Sequence, residues 1–272
     1  MENVLQFILY MIPFLIYLYL FNIYAPHHRI KKADWMKGYM THRGLFTVDQ
    51  SIPENSLAAF KAAMEAGYGS ELDVQCTQEG EVMVFHDDTL DRLCHVAGLL
   101  EDKTYDQIKS LKLALSEEPI PTLASVLELT QGKVPLMIEI KHTQRIKLTV
   151  SKVKACLENY QGNITICSFN PLILGEVKRQ MPEVLRGQLM EPSLHKKQFP
   201  LYLRLILHFA LMNGIHQPDY LSIHHQQRLF SYKVHRWMGG FGVMWPIQNA
   251  SQATEAKKYS DLIIFEHYRP VD

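Results

Sequence analysis

Residues 70–86 have the sequence SELDVQCTQEGEVMVFH, and this stretch decides the fold. Residues 70–74 alternate acidic side chains with Leu72 and Val74, residues 82–86 are mostly apolar, and the two runs flank a polar segment that contains a glycine. This pattern predicts two strands joined by a hairpin. In the first run, Glu71 and Asp73 are two positions apart, so both carboxylates project from one face of the strand. The stretch therefore predicts a sheet with acidic side chains on one face.

Outward from this stretch, strand-like and helix-like segments alternate to the end of the chain. The predicted strands are 38–42, 70–74, 82–86, 136–141, 164–169, 185–189, 220–223, 242–245 and 261–265. The predicted helices are 55–66, 123–130, 147–160, 171–180, 201–212 and 250–259. Such alternation is typical of a parallel sheet with crossover helices. We therefore predict an α/β fold, a (β/α)8 TIM-type barrel over residues 38–272, with a small insertion at about 87–120 that contains a short charged helix at 102–113.

Composition limits the classes of function. The chain has 272 residues, 47% of them hydrophobic, which is enough for one barrel-sized domain. Lys plus Arg and Asp plus Glu both total 28, so there is no basic surplus of the kind that nucleic-acid binding requires. The four cysteines have neither disulfide-framework nor zinc-finger spacing, so we predict buried free thiols.

The N-terminal residues 3–26 contain no charged side chain. At about 1.5 Å per residue, a helix of this length can cross a hydrocarbon core of about 30 Å. We therefore predict one transmembrane helix and membrane localisation as a single-pass protein. The basic residues Arg29, Lys31, Lys32 and Lys37 follow the run, and no lysine or arginine precedes it. By the positive-inside rule, the domain that follows this helix is expected on the cytoplasmic side.

Reactive side chains in a (β/α)8 barrel gather where the strands end at the C-terminal face. The polar residues that end or nearly end predicted strands, or directly follow them, are His42, Arg43, Glu71, Asp73, His86, Glu139 and Lys141. Three carboxylates close together would be prohibitively costly to bury without a cation. Glu71, Asp73 and Glu139 are therefore predicted to bind one divalent cation, Mg²⁺ or Ca²⁺, both of which prefer oxygen ligands.

Two basic and two imidazole side chains complete the predicted site. Arg43 and Lys141 beside a divalent cation indicate an anionic substrate, most simply a phosphate. Cleavage of a phosphodiester requires two proton transfers, and His42 and His86 can perform both near neutral pH. The residues alone do not decide which histidine is the base.

Taken together, these motifs resemble the glycerophosphodiester phosphodiesterase (GDPD) family, within the phospholipase-C-like phosphodiesterase barrels. The matching segments are His42-Arg43-Gly44, Pro53-Glu54-Asn55-Ser56, Glu71-Leu72-Asp73-Val74-Gln75, Gly80, Val82-Met83-Val84-Phe85-His86-Asp87, Ile120-Pro121-Thr122-Leu123, Glu139-Ile140-Lys141 and Ser168-Phe169. The resemblance runs from about residue 38 to the C-terminus. It also implies that the insertion after His86 is the small one that distinguishes this family from related barrels.

The resemblance implies a role for each residue. Glu71, Asp73 and Glu139 would bind the metal, His42 would be the general base, and His86 the general acid. Phosphate and substrate would be bound by Arg43, Lys141 and Trp245, with Glu54 in a supporting role. The chain departs from the family pattern after Trp245, where Pro246-Ile247-Gln248 follows, and at Phe265-Glu266. Asn55 also has a structural interpretation, as the N-cap of the next helix.

The expected reaction is hydrolysis of a glycerophosphodiester to an alcohol and glycerol 3-phosphate. The nucleophile is either water or a neighbouring glycerol hydroxyl. One alternative is a lysophospholipase D, with the apolar stretch 199–215 and its neighbours Lys196 and Lys197 admitting lipid at the membrane; the same stretch can also be an ordinary barrel helix. A remote alternative is an inactive, anchored binding module, supported only by the departures after Trp245.

Overall fold

In the computed structural model, which describes residues 2–23, 33–191, 194, 200–227 and 229–270, eight parallel strands close into a barrel. The strands are β1 (Gly38–Thr41), β2 (Gly69–Cys76), β3 (Val82–Val84), β4 (Leu136–Ile140), β5 (Ile164–Ser168), β6 (Leu185–Met190), β7 (Tyr220–His224), β8 (Phe241–Ile247) and β9 (Leu262–Phe265). Their order is β1-β9-β8-β7-β6-β5-β4-β2, and β1 also pairs with β2, which completes the closure. The predicted parallel barrel is confirmed.

β3 is not one of the eight strands that form this barrel. It pairs antiparallel with β2, with Val74 opposite Val84 and Cys76 opposite Val82. The turn between them contains Gly80 at φ +94°, a left-handed conformation that glycine adopts without a steric cost. The hairpin predicted from residues 70–86 is therefore confirmed.

The helices fill the intervals between strands. They are α1 (Glu2–Ile23), α2 (Leu57–Glu65), α3 (Asp91–Cys94), α4 (Tyr105–Ile108), α5 (Leu123–Thr130), α6 (Ile146–Leu157), α7 (Pro171–Gln180), α8 (Leu201–His208), α9 (Asn213–His216), α10 (Phe230–Trp237) and α11 (Ala250–Ala256). The predicted helix 201–212 is instead α8 and α9, separated by Ala210 at φ +52°. The predicted helix 102–113 is only the four residues of α4. α10 was not among the predicted helices, and its N-cap residue Leu229 makes no side-chain cap hydrogen bond.

The core has an inner and an outer layer, as the closed barrel requires. Inside the barrel, Met40, Met137, Leu189 and Tyr220 pack together with other buried residues. Outside it, strands and helices enclose two further apolar clusters. The insertion between β3 and α5 has a small core of its own, which includes Leu93. All four cysteines are free, as predicted. Three of them are buried, and Cys156 is partly exposed.

The N-terminal prediction requires a correction. Residues 2–23 do form a helix, α1. Across the described part of the chain, however, no helix combines the length and the apolarity that crossing a membrane requires. The predicted single-pass membrane localisation and transmembrane anchor at 3–26 are therefore contradicted, and the membrane as a partner through that helix has no support. Residues 24–26 and the basic residues Arg29, Lys31 and Lys32, used to orient the chain, lie outside the described residues.

The C-terminal end of α1 packs against the barrel. Ile23 is fully buried, and Tyr19 stacks on Phe230 of α10 at 6.3 Å between ring centroids. The Asn22 amide donates to the Ala210 carbonyl oxygen at 2.8 Å and accepts from the Gly214 N–H at 2.7 Å. The Asn22 amide and the Ile23 side chain therefore both have protein partners. A count of apolar residues in the sequence does not predict these contacts.

Candidate active site

The predicted polar residues meet at the carboxyl ends of the barrel strands. His42 and Arg43 directly follow β1, and the His42 N–H donates to the Phe265 carbonyl oxygen of β9 at 2.8 Å. On the other side of β1, strands β2 and β4 pair in a register that places Asp73 opposite Glu139. Closure of the barrel thus brings residues that are far apart in sequence together at the carboxyl ends of the strands, which form the barrel mouth.

The three predicted metal ligands form a buried carboxylate cluster. Each of Glu71, Asp73 and Glu139 offers one oxygen within 4.8 Å of the other two, and their exposed fractions are 4%, 1% and 8%. Burial and the two neighbouring carboxylates raise the pKa of Glu71 well above its usual range. Burial also raises the pKa of Glu139. Burial acts in the same direction on Asp73, but Lys141, His86 and Arg43 outweigh it and lower the pKa of that carboxyl.

Two cations border the carboxylate cluster. Lys141 Nζ lies 2.9 Å from Glu139 Oε1 and 3.3 Å from Asp73 Oδ1. Arg43 Nε lies 3.5 Å from Asp73 Oδ2. The negative charge of Glu71 has fewer positive groups beside it than that of Asp73 or Glu139. Glu71 Oε2 accepts the Arg43 backbone N–H at 3.2 Å, and His42 Nε2 is 4.0 Å away.

A divalent cation fits this donor set. All three side chains offer hard oxygen ligands, which suits Mg²⁺ or Ca²⁺ rather than a thiolate-preferring metal. Among the described residues, no lysine or arginine side chain lies within 4.0 Å of the buried Glu71 carboxylate, and the imidazole of His42 is 4.0 Å away. Such a group is costly to keep ionised unless positive charge is added beside it.

His42 is held by a carboxylate that was not predicted to have a role. Its Nδ1 lies 2.5 Å from Oε2 of Glu266, which directly follows β9. Hydrogen bonding to His42 outweighs burial and lowers the pKa of Glu266 to about 2, so this carboxylate is ionised and can only accept. His42 Nδ1 is therefore the donor. Burial lowers the pKa of His42, and the bond to Glu266 opposes that effect.

His86 has an equivalent partner. Its Nδ1 lies 2.7 Å from Oδ1 of Asp87, the next residue in the chain. Burial alone would raise the pKa of Asp87, but hydrogen bonds from His86 and Arg92 lower it below its usual range. Asp87 is therefore an ionised acceptor, and the Nδ1–H of His86 is the donor. Each histidine thus has its Nδ1 held by a carboxylate.

The predicted supporting residue, Glu54, is 4% exposed and binds Arg43. The distance from Arg43 Nη1 to Glu54 Oε1 is 2.7 Å. Asn55 is not the N-cap of α2, because Ser56 caps it by accepting the Ala59 N–H at 3.1 Å. Instead the Asn55 amide donates to Asp73 Oδ2 at 2.9 Å, so the N-cap prediction is wrong and the residue belongs to the site.

Two aromatic side chains, Phe169 and Trp245, line one part of the cleft. Trp245 lies 5.9 Å from Phe169, 6.5 Å from His42 and 5.5 Å from His224 between ring centroids. The cleft is lined by His42, Arg43, Glu71, Asp73, His86, Glu139, Lys141 and Trp245, together with Met137, Cys167, Phe169, Leu189 and Ile264. Every predicted site residue except Glu54 therefore lines one cavity, and Glu54 contacts it through Arg43.

The sequence interpretation missed Glu266 and the role of Asp87 as partners of the histidines. Glu266 was recognised only as a departure from the family pattern, although it follows a strand end as His42 does. A second departure, Gln248, donates from its amide to Glu266 Oε1 at 2.8 Å. The two departures therefore contact each other, which no local sequence signal indicates.

The fold and this site together define the class of the protein: a (β/α)8-barrel hydrolase with carboxylates, two histidines and two cations at the barrel mouth. More particularly, the chain belongs to the glycerophosphoryl diester phosphodiesterase family, whose sequence model matches residues 42–226. It is therefore a phosphoric diester hydrolase. The chain is 38% identical over 166 residues to a glycerophosphodiester phosphodiesterase of Caldanaerobacter subterraneus, covering 57% of this chain and 67% of that one.

Two further similarities agree with this classification. A glycerophosphodiester phosphodiesterase of Bacillus altitudinis is 32% identical over 196 residues, covering 68% of this chain and 70% of the relative. A phosphodiesterase of Oleispira antarctica, solved in complex with the product sn-glycerol-3-phosphate, superposes with a TM-score of 0.70 at 22% identity, covering 86% of this chain and 94% of that chain. At that identity the superposition supports the fold alone.

Proposed function

We propose that this protein hydrolyses glycerophosphodiesters to an alcohol and glycerol 3-phosphate, using one divalent cation, Mg²⁺ or Ca²⁺. The observation that carries the proposal is the convergence of three buried carboxylates, two cations and two carboxylate-bound histidines on one cleft. The relatives of Caldanaerobacter subterraneus and Bacillus altitudinis are named glycerophosphodiester phosphodiesterases, which supports the same substrate class here. We further propose that residues 38–272 form the catalytic domain, since the barrel strands run from Gly38 to Phe265.

Glu71, Asp73 and Glu139 would bind the cation. When bound, a divalent cation supplies Lewis-acid stabilisation of negative charge on phosphoryl oxygens. Arg43 and Lys141 border the same cleft, where their charges bind and orient the phosphate group. Glu54 binds Nη1 of the Arg43 guanidinium and so holds this side chain in place.

His42 and His86 would transfer the protons. Because Nδ1–H of each ring donates to a carboxylate, the neutral ring has its lone pair on Nε2. His42 Nε2 would accept the proton of the nucleophile, which is either water or a neighbouring glycerol hydroxyl. In the second case the alcohol leaves as a cyclic phosphate forms, and water then opens that ring to give glycerol 3-phosphate. His86, in its protonated form, would donate to the leaving alcohol oxygen. Glu266 and Asp87 fix the ring orientations and stabilise the imidazolium forms.

The lysophospholipid alternative is not favoured. It relied on the N-terminal anchor, which is contradicted, and on residues 199–215, of which Phe199 and the neighbouring Lys196 and Lys197 lie outside the described residues. The inactive binding module has no support in the site either, because every predicted side chain is present in the cleft or touches it.

The proposal is tested by assaying glycerophosphocholine and lysophosphatidylcholine in parallel, with EDTA treatment and add-back of Mg²⁺ or Ca²⁺. We expect turnover of the water-soluble diester, loss with EDTA, and recovery with metal. His42→Asn should reduce kcat by about 10²- to 10⁴-fold, as removal of a general base does. His95→Asn, at an exposed left-handed position, is the control and should retain activity.

Two results would contradict the proposal. Turnover that survives both EDTA and His42→Asn would mean that the site is misassigned. Preferential hydrolysis of lysophosphatidylcholine would mean that the substrate class is wrong.

A further inference from the structure

Arg92 lies in the insertion, on the short helix α3, and does not line the catalytic cleft. Its side chain is 47% exposed. The next two residues, Leu93 and Cys94, are buried in the small apolar core of the insertion. α3 is therefore fixed in place, and Arg92 extends from a supported position towards the barrel mouth.

The guanidinium of Arg92 binds two carboxylates at once. Towards Asp87, Nε donates to Oδ2 at 2.6 Å and Nη2 donates to Oδ1 at 2.9 Å. Towards Glu54, Nη2 donates to Oε1 at 2.7 Å and Nη1 donates to Oε2 at 3.1 Å. Both pairs are bidentate, which fixes the plane and the position of all three groups.

Each of these carboxylates holds one side chain that acts in the cleft. Asp87 accepts from His86 Nδ1 at 2.7 Å, and Glu54 accepts from Arg43 Nη1 at 2.7 Å. The continuous chain of contacts is His86–Asp87–Arg92–Glu54–Arg43. It connects the proposed general acid with the proposed phosphate-binding arginine through a residue outside the cleft.

We propose that Arg92 is a positioning residue that holds the general acid and the phosphate-binding arginine in register with each other. The inference rests on the proposed function, because the roles of His86 and Arg43 come from it. Without Arg92, two anionic carboxylates would face each other without the cation that bridges them, and each would lose the partner that orients it. Lysine cannot replace the bridge, because an ammonium group lacks the planar fork that binds two carboxylates bidentately.

The first experiment compares Arg92→Lys with Arg179→Lys on glycerophosphocholine. Arg179 is the matched control: its exposed guanidinium also binds a carboxylate through two nitrogens, to Glu176 at 2.5 and 3.0 Å, and it lies outside the residues that line the cleft. We expect Arg92→Lys to lower kcat by about 10- to 100-fold and to raise KM, since small displacements of catalytic groups have effects of this size. Arg179→Lys should change neither.

The second experiment separates the two arms of the bridge. Asp87→Asn should act mainly on kcat, through His86, and Glu54→Gln mainly on KM, through Arg43. Combining Arg92→Lys with either change should cost less than the product of the two single losses, because both remove the same bridge. Multiplicative losses, or a kcat/KM of Arg92→Lys within about twofold of wild type, would overturn the inference.

A third measurement is independent of turnover. In ¹⁵N-histidine NMR spectra of the folded protein, we expect Arg92→Lys to change the Nδ1 and Nε2 signals of His86, and Arg179→Lys to leave them unchanged. Unchanged His86 signals in Arg92→Lys would overturn the inference even if the wild type proved inactive on every diester. Conversely, a wild type without diesterase activity would overturn the proposed function while this measurement still reported on the bridge.

Discussion

The contact between Glu266 and His42 leads to the sharpest prediction, the effect of Glu266→Gln. Two donors face this carboxylate: His42 Nδ1 at Oε2, and the Gln248 amide at Oε1. A glutamine at position 266 has one oxygen and one NH₂ group, so it can accept from only one of them. If its NH₂ group faces His42, the imidazole must take the tautomer with the proton on Nε2. That tautomer cannot accept a proton in the cleft.

The expected size of the loss follows from the type of bond. A hydrogen bond to a charged group contributes about 1.5–3 kcal/mol. If this amount is lost in the transition state, where His42 becomes positively charged, kcat falls by about 10- to 150-fold, at about 1.4 kcal/mol per factor of ten. The substitution leaves Arg43 and Lys141, the proposed phosphate-binding residues, unchanged, so KM should remain close to the wild-type value.

The assay is steady-state hydrolysis of glycerophosphocholine at saturating metal. Glu65→Gln is the matched control, because Glu65 makes only an exposed pair with Lys61 at 3.9 Å, and such pairs contribute little. Glu266→Asp retains the charge and should recover part of the activity lost in Glu266→Gln. A kcat for Glu266→Gln within twofold of wild type would refute the reasoning, as would an equal loss in Glu266→Asp.

Two further predictions concern stability. Gly44 has φ +82°, and a Cβ there would lie 2.8 Å from the Ala59 backbone and side chain. Gly44→Ala should therefore lower the free energy of unfolding, measured by urea denaturation, by about 1–3 kcal/mol. An unchanged free energy of unfolding would show that α2 can move away from the new methyl group. The pKa of Glu266 is lowered from 4.5 to about 2, so its stabilising effect is present above about pH 4.5 and is lost as the pH falls towards 2. As the pH falls from about 4.5 to 2, we expect the free energy of unfolding to decrease by about 1–2 kcal/mol more in the wild type than in Glu266→Gln, allowing for solvent screening. Identical acid denaturation profiles for the two proteins would contradict this.

Much of the site could be predicted because it depends on short-range geometry. Glu71 and Asp73 share a face through strand alternation alone, and the hairpin at Gly80 follows from local turn chemistry. Asn55 shows the limit of such reasoning. Its residue type suits an N-cap, but the next residue, Ser56, takes that position, and Asn55 binds Asp73 instead.

Contacts between distant segments could not be predicted from local pattern. Arg92 and Glu54 are 38 positions apart, and they meet because the insertion that carries Arg92 folds on its own small core beside the barrel mouth. The N-terminal helix was misinterpreted for a similar reason. A run of apolar side chains shows that a segment tends to be buried away from water. It does not show where the segment is buried, and here Asn22 and Ile23 pack against the barrel.

The sequence by itself determined the alternating strands and helices, the hairpin, and the carboxylates, histidines and cations of the site, because residue type and spacing of two to four positions control these features. Only the tertiary structure decided the partners of the histidines. His42 and Glu266 are 224 positions apart, and they meet because barrel closure pairs β1 with β9. Strand register is set by packing over the whole barrel, so it assigns neighbours that no window of the sequence contains.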